Sequence, residues 1–144
     1  MKKKRGAPKY KQGYYRPIFP DKYIGDIENI YYRSGLELKF MRFFDLNSAI
    51  LKWNSEDVIV KYLDETTNKI RRYFVDFYIK LVDINKLVKE YLVEIKPYQQ
   101  VNPKRFKNDY SKLQYIKNVS KWKAAERYAK SVGVEFLILT ERDL

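Results

Sequence analysis

Apolar residues recur at helical spacing in the stretch YRSGLELKFMRFFDLN, which begins at residue 32. Leu36, Phe40 and Phe44 fall on one face of a helix. Ser34 and Glu37 form the S-x-x-E pattern with which many helices begin. The pattern therefore predicts an amphipathic helix that starts near Ser34.

Strand-like patterns follow this helix. Residues 49–53 and 57–63 are short apolar runs, and residues 71–83 alternate between two faces along their whole length. The residues expected on one face of that strand are Tyr73, Val75, Phe77, Ile79 and Leu81. Residues 89–98 return as a strand that ends at its proline. Residues 134–140 are continuously apolar, which predicts a strand covered on both faces.

Two helices are predicted between the last two strands. One carries Phe106, Tyr110 and Leu113, and the other surrounds Trp122 and ends at Gly133. The predicted order is α-β-β-β-α-α-β, with a fourth strand possible in the first group. This order indicates an α/β fold in which helices flank a central mixed sheet of four to five strands.

Two residue types are absent, and their absence limits the possible chemistry. The chain has no cysteine and no histidine. Disulfides, thiolate metal sites, serine–histidine triads and imidazole zinc sites are therefore excluded. Any catalysis must depend on carboxylates, lysine, arginine or tyrosine.

Positive charge is concentrated at the start of the chain. The formal net charge is +12, and residues 1–16 hold seven Lys/Arg and no acid. We expect residues 1–30 to form a basic arm and residues 31–144 to form one domain. Such an arm suits nucleic acid first and an anionic membrane surface second, although a solubilising tail is an equally simple interpretation. Neither a secretory signal nor a membrane-spanning segment is predicted.

A turn near Asn85 would bring two carboxylates face to face. If the turn centres there, Asp76 lies directly opposite Glu94, with Cβ atoms about 4.5–5.5 Å apart. Like charges so placed repel unless a divalent cation lies between them. Lys96 lies on the same face as Glu94. A slip of one residue would separate the carboxylates, so the prediction depends on the register.

Carboxylate oxygens suit Mg²⁺, for which Mn²⁺ can substitute. Such an ion would polarise a phosphoryl oxygen and lower the pKa of a bound water. Lys96 would orient or activate that water. Glu37 lies inside the apolar stripe of its helix and would reach the site directly or through a water, although it could instead only cap the helix. This set accounts for phosphodiester hydrolysis without histidine or cysteine.

These residues resemble the signature of the PD-(D/E)xK nucleases. Asp76 precedes Glu94-Ile95-Lys96 at hairpin spacing, and Val75 stands where a proline is usual. The stretches YRSGLE, RRYFVDFYIK, YLVEIKP and KWKAAERYAKSVGVEFLILTERDL resemble the head-completion nucleases of tailed, myovirus-like phages. The chain is more distantly similar to transposase-associated endonucleases. The resemblance covers about residues 31–144.

The resemblance implies a restriction-endonuclease-like core and a metal-dependent DNA nuclease with endonuclease and also exonuclease activity. It implies action in head completion, on packaged DNA before head–tail joining, in the host cytoplasm during virion assembly. DNA and phage head or neck proteins are the implied partners. The implied catalytic residues are Glu37, Asp76, Glu94 and Lys96, with Asp76, Glu94 and Glu37 as metal ligands.

Cations follow the predicted active strand. Residues 96–130 hold ten Lys/Arg, and we expect some of them to contact DNA phosphates. A solvated helix face explains any single one equally well. The predicted DNA contacts are Arg33, Lys104, Arg105 and Lys107, with Gln99 and Gln100 at the rim of the site.

Other functions fit the same residues. A non-catalytic DNA-binding or structural head-completion protein would keep the fold without using a metal. A transposase-type endonuclease subunit or a junction resolvase would use the same site on other DNA. A membrane-surface protein would use the basic arm alone.

Overall fold

The structure, a computed structural model, describes residues 12–144. The helices of this part are α1 (Gly35–Leu46), α2 (Tyr98–Val101) and α3 (Asp109–Ser131), with short 3₁₀ turns at Pro20–Lys22 and Glu141–Asp143. The strands are β1 (Gly13–Tyr14), β2 (Tyr31–Tyr32), β3 (Ile50–Ser55), β4 (Ile59–Asp64), β5 (Lys69–Phe74), β6 (Phe77–Val82), β7 (Val88–Ile95) and β8 (Glu135–Leu139). Within residues 12–144, no helix is long and apolar enough to cross a membrane.

The central sheet has four strands in the order β3-β6-β7-β8. β3, β6 and β7 pair antiparallel, and β8 joins β7 in parallel. The parallel connection passes through α2 and α3, as a crossover requires. The predicted α/β class with a mixed central sheet is therefore confirmed.

Residues 71–83 do not form one strand, so that prediction is wrong. β5 ends at Phe74 and β6 begins at Phe77, with a bend between them. β5 pairs with β4 in a separate two-stranded sheet, whereas β6 belongs to the central sheet. Five strands thus lie between α1 and α2. The alternation could not reveal the change of sheet, because apolar residues recur at every second position on both sides of the bend.

The two helices predicted after the sheet are one helix. α3 runs for 23 residues, and neither glycine nor proline interrupts it. Asn108 caps its start, since the Asn108 side chain accepts a hydrogen bond from the Ser111 N–H, and the helix ends just before Gly133, as predicted. Phe106 precedes the helix in a loop and packs against the ring of Tyr115.

The predicted full burial of the last strand is also wrong. β8 is an edge strand of the central sheet, and the side chains of residues 136–139 are only partly buried. An edge strand has a neighbour on one side only, which leaves room for solvent along the other.

Two hydrophobic cores cover the two faces of the central sheet. The first lies under α1 and the second lies between the sheet, α3 and the β4–β5 hairpin. The first contains Ile30, Phe40, Met41, Phe44, Ile50, Trp53, Phe77, Ile79, Val93 and Ile95. The second contains Val60, Tyr62, Tyr73, Val75, Leu92, Ala124, Ala125 and Ala129. The odd-numbered residues therefore change core at the bend. Tyr73 and Val75 belong to the core beneath α3, whereas Phe77 and Ile79 belong to the core beneath α1.

Residues in the second half of the predicted arm pack onto α1. Asp45, at the end of α1, is fully buried. It accepts hydrogen bonds from the Tyr15 hydroxyl at 2.5 Å, the Ile18 N–H at 2.7 Å and the Phe19 N–H at 3.0 Å. Residues 1–11 lie outside the described residues, and the division of the chain at residue 30 stays a prediction.

We expect Asp45→Ala to destabilise the fold strongly. The substitution leaves one hydroxyl and two backbone N–H groups without their shared acceptor, and hydrogen bonds to a charged group contribute about 1.5–3 kcal/mol each. The free energy of unfolding in urea should fall by more than about 3 kcal/mol. Asp57→Ala, at an exposed position, is the control. An equal, small loss in both variants would mean that Asp45 does not hold the arm.

Candidate active site

The β6–β7 hairpin has the predicted register. Phe77 pairs with Val93 and Val82 pairs with Val88. Continuing the same register by one residue places Asp76 opposite Glu94. The predicted register is thus confirmed, and the opposition of Asp76 and Glu94 is its extension by one position past the last pair.

The turn itself explains this register. The Asp83 side chain accepts hydrogen bonds from the N–H groups of Asn85 and Leu87, both at 2.9 Å. Lys86 adopts a positive φ of 62°, which the tight return of the chain requires. A turn closed by its own aspartate fixes the pairing of the strands that leave it.

Asp76 lies at the bend between β5 and β6 and is held from two sides. Its Oδ2 atom accepts a hydrogen bond from the Ile95 N–H at 2.8 Å. Its carbonyl oxygen accepts one from the Glu56 N–H at 3.0 Å. The neighbouring Val75 N–H donates to the Val58 carbonyl at 2.9 Å. The carboxylate is therefore fixed to the end of β7 rather than free in a loop.

Glu94 lies on the α3 side of the sheet and is buried, with 5% of its surface exposed. Its Oε2 atom accepts a hydrogen bond from the Tyr73 hydroxyl. The Lys96 ammonium lies 3.6 Å from its Oε1 atom, and the Lys96 side chain is 26% exposed. One oxygen of Glu94 thus accepts a hydrogen bond from Tyr73 of the β4–β5 hairpin, and the other lies near a partly accessible lysine.

Burial raises the pKa of both facing carboxyls. The pKa of Asp76 rises to about 7, and so does that of Glu94. The Glu37 charge raises both pKa values further, whereas Lys96 and Lys121 lower both. Two carboxyls that hold protons near neutral pH are poised to release them to a cation, since an added positive charge favours their ionised form.

Glu37 occupies the first turn of α1. Its N–H donates to the Ser34 hydroxyl at 3.1 Å, and its Oε2 atom accepts from the Arg33 N–H at 3.0 Å. Both bonds belong to the helix start that the S-x-x-E pattern predicted. Among residues 12–144, no three carboxylates lie close enough together to hold a metal ion. Glu37 therefore acts on Asp76 and Glu94 through the electrostatic effect of its charge. Its role as a metal ligand stays a prediction.

Tyr73 and Lys121 belong to the site but were not among the predicted residues. The Lys121 ammonium lies 5.6 Å from the centre of the Tyr73 ring and 5.9 Å from that of Tyr62. Tyr73 was expected to face away from Asp76 in a single strand, and the bend turns it toward Glu94. One sequence signal could have revealed Lys121: it lies three and four residues before Ala124 and Ala125, on the apolar side of its helix.

The predicted DNA contacts lie on three exposed segments. Gln99 and Gln100 are on α2, directly after the active strand, and the three cations predicted to bind phosphate are on the loop before α3. Those cations are Lys104, Arg105 and Lys107. Arg33 precedes α1 and forms an ion pair with Glu56. The role of each in DNA binding stays a prediction.

The donor set fits a divalent, oxygen-liganded ion. Asp76 and Glu94 supply two facing carboxylates, and Mg²⁺ in proteins is held by one or two carboxylates together with waters and phosphate oxygens. The two carboxylates lie opposite each other and are buried. A bound cation would offset both their mutual repulsion and the cost of burying their charge. Soft or imidazole-preferring metals find no thiolate or histidine in this chain.

The raised pKa values predict how stability changes with pH in metal-free buffer. The charged groups that act on Asp76 are Glu37, Lys96 and Lys121, and Glu94 lies opposite it when the β6–β7 register is extended by one position. Its carboxyl loses its proton near pH 4 when unfolded but near 7 when folded. The free energy of unfolding therefore carries a term that falls as pH rises from about 4 to about 7. Asp76→Asn removes this term and keeps an acceptor for Ile95.

The measurement is the difference in unfolding free energy between Asp76→Asn and the unmodified chain, at several pH values with EDTA present. As pH rises to about 7, the unmodified chain should lose stability relative to Asp76→Asn, and above that pH the difference between them should stay constant. Asp57→Asn, at an exposed position, is the control. A constant difference across this range would contradict the raised pKa of Asp76.

Comparison with known proteins shows the family to which this chain belongs. The family described as "TnsA-like endonuclease N terminal" matches residues 47–141, a range that holds the facing carboxylates and both lysines. The head completion nuclease of Enterobacteria phage T4 is 36% identical over 135 residues, which cover 85% of this chain and 86% of that protein. Endonuclease domains of this kind generally use a divalent metal. Both predicted resemblances are confirmed, and the chain belongs to the TnsA-like endonuclease family.

Proposed function

We propose that this chain is a metal-dependent DNA nuclease of phage head completion, which processes packaged DNA before the tail joins. The observation that carries the proposal is the opposition of Asp76 and Glu94 with Lys96 beside them. The identity with the phage T4 head completion nuclease supports the biological role, and the endonuclease family supports the reaction. The chain would act in the host cell while virions assemble.

Asp76 and Glu94 would hold the metal ion, which we take to be Mg²⁺, with Mn²⁺ as a substitute. Such an ion supplies positive charge to the phosphate and makes a bound water more acidic. The protein prepares this step by fixing both carboxylates before the ion arrives. Ile95 orients Asp76, and Tyr73 orients Glu94, so little rearrangement is needed on binding.

Lys96 would act on the reacting groups. Its ammonium is close to Glu94 and partly accessible, so it can orient the attacking water and stabilise negative charge that develops on the phosphate. Glu37 would complete the site as a further ligand or through a water. Its charge already acts on both facing carboxyls, which supports this assignment.

DNA would reach the site over basic surfaces. We assign residues 31–144 to the nuclease domain and residues 1–30 to an arm whose charge attracts the DNA backbone. The loop before α3 would bind phosphates, and α2 would contact the DNA next to the cleaved bond. The residues of these contacts are Lys104, Arg105, Lys107, Gln99, Gln100 and Arg33.

Glu94→Gln should abolish most DNA cleavage in Mg²⁺. The amide keeps the shape of the side chain but cannot supply a carboxylate, and we expect a loss of about 10²–10³ in rate, by analogy with removal of one oxyanion-hole donor. Lys96→Gln should lose a similar factor. The matched control is Glu90→Gln, an exposed residue of the same strand, which should cleave normally.

The assay should use linear, circular and branched DNA, each with Mg²⁺, Mn²⁺ or EDTA. Cleavage of circles would show internal cleavage, loss of ends alone would show exonuclease action, and a strong preference for branched DNA would favour a resolvase. If the unmodified chain cleaves none of them in either metal, the protein is a non-catalytic head-completion protein. If Glu94→Gln cleaves normally, Glu94 is not a metal ligand and the proposed active site is wrong.

Replacing the three loop cations by glutamine should lower the salt dependence of DNA binding. Each phosphate contact contributes about 0.9 to the slope of log affinity against log salt, so three contacts contribute about 2.7. The triple variant changes Lys104, Arg105 and Lys107, and the control triple changes Lys61, Lys69 and Arg72, which are exposed on the β4–β5 hairpin. Binding is measured with Ca²⁺ in place of Mg²⁺. Equal slopes for both triples would rule out a specific role for the loop.

A further inference from the structure

A second ammonium group lies beside the carboxylate pair. Lys121 is carried by α3, which packs across β4 on the hairpin side of the central sheet. Its ammonium lies over the rings of Tyr62 and Tyr73, at 5.9 and 5.6 Å from their centres. The Tyr73 hydroxyl donates to Glu94. One side chain therefore separates Lys121 from a proposed metal ligand.

The surroundings of Lys121 hold its ammonium at a defined place. The residue is half-buried, and its helix neighbours Trp122, Ala124 and Ala125 are buried in the core. A cation over aromatic rings is stabilised by their electron-rich faces. This support replaces part of the hydration that burial removes, so the chain can keep a lysine here without a direct carboxylate partner.

Lys121 differs in this respect from Lys117, one turn earlier on α3. The Lys117 ammonium lies 3.9 Å from the buried carboxylate of Asp64, which also bonds Arg71. Lys117 thus belongs to an ion-pair network at the end of the β4–β5 hairpin. Lys121 has no ion pair among the described residues within 4 Å, and its charge, like that of Lys96, acts on both Asp76 and Glu94.

Two ammonium groups that converge on one place repel each other unless an anion lies between them. Burial lowers the pKa of Lys121, and the charge of Lys96 lowers it further, while Glu94 and Asp76 raise it. The two carboxylates alone could offset both lysines. A bound divalent ion would neutralise those two carboxylates and leave the two ammonium groups to be balanced by Glu37 and by a further anion.

The charges of the loaded site point to a phosphodiester as that anion. Three carboxylates, from Glu37, Asp76 and Glu94, would be balanced by a divalent ion and Lys96. A DNA phosphate would then add one uncompensated negative charge in a partly buried place, which is unfavourable. The charge of Lys121 is the one that would balance it.

We propose that Lys121 is a second catalytic lysine, which contacts a non-bridging oxygen of the phosphate being cleaved while Tyr62 and Tyr73 hold its ammonium in place. The inference rests on the proposed nuclease function and adds a residue to the same site. Lys121 would approach the phosphate from α3, and Lys96 would approach it from the position just after β7, so that both stabilise the negative charge of the transition state.

The test compares Lys121→Gln with Lys123→Gln in the full chain. Lys123 is exposed on the same helix, two residues away, and its substitution makes the same change in net charge. Single-turnover cleavage at saturating DNA should be slower by about 10²-fold in Lys121→Gln, by analogy with loss of one oxyanion donor. Lys123→Gln should cleave like the unmodified chain.

Binding of Mn²⁺ without DNA supplies a second measurement, in which Lys121→Gln is expected to show no loss of affinity although its cleavage rate falls. Removing a cation next to the carboxylates should leave Mn²⁺ affinity unchanged or increase it, even though cleavage slows. A damaged site would instead lose both. Lys121→Arg keeps the charge over the rings and should recover most of the cleavage rate.

The outcomes separate this inference from the proposed function. If Glu94→Gln abolishes cleavage but Lys121→Gln cleaves like Lys123→Gln, Lys121 has no catalytic role and the nuclease function stands. If Lys121→Gln weakens Mn²⁺ binding and Lys121→Arg fails to recover cleavage, Lys121 only supports the fold, and the inference is wrong. If the unmodified chain cleaves no DNA, the proposed function itself has failed.

Discussion

The hydrogen bond between the Ile95 N–H and Asp76 Oδ2 is the contact on which the site depends. It forms where the regular pairing of β6 and β7 has stopped, so a side chain takes the place of a backbone acceptor. This bond continues the hairpin by one position and holds Asp76 opposite Glu94. Without it, the bend would be free to move the carboxylate away from the end of β7.

The site is an unfavourable part of the fold in the absence of a cation. Burial raises the pKa of both Asp76 and Glu94, which means that the folded chain resists their ionisation. Lys96 and Lys121 offset part of this cost, since each lowers both pKa values. The remaining cost is met elsewhere, by two hydrophobic cores and by buried acids such as Asp45 whose partners are complete. An incompletely compensated pair of carboxylates is thus a binding site that the rest of the structure keeps in place.

Much of the site could be predicted from sequence because its parts are local. The start of α1 follows from Ser34 and Glu37, and the hairpin register follows from a turn whose residues are all within a few positions of Asn85. The positions of Tyr73 and Lys121 could not be predicted in the same way. Both depend on which sheet a strand joins and on which face a long helix rests, and these are decided by packing between segments far apart in sequence. Apolar residues alternate with a period of two in both sheets, so the alternation does not reveal which sheet a strand joins.

The bend at Val75 and Asp76 explains why the position of Asp76 opposite Glu94 could be predicted and why the position of Tyr73 could not. In an unbroken strand, the Asp76 N–H and C=O would continue the ladder, and Tyr73 would lie on the face turned toward α1. The bend instead gives the Asp76 side chain a backbone donor and turns Tyr73 toward Glu94. One irregular step therefore creates the carboxylate pair and brings a second sheet to it. A site that needs groups from two sheets and a helix requires such a step, because a regular strand presents only its own two faces.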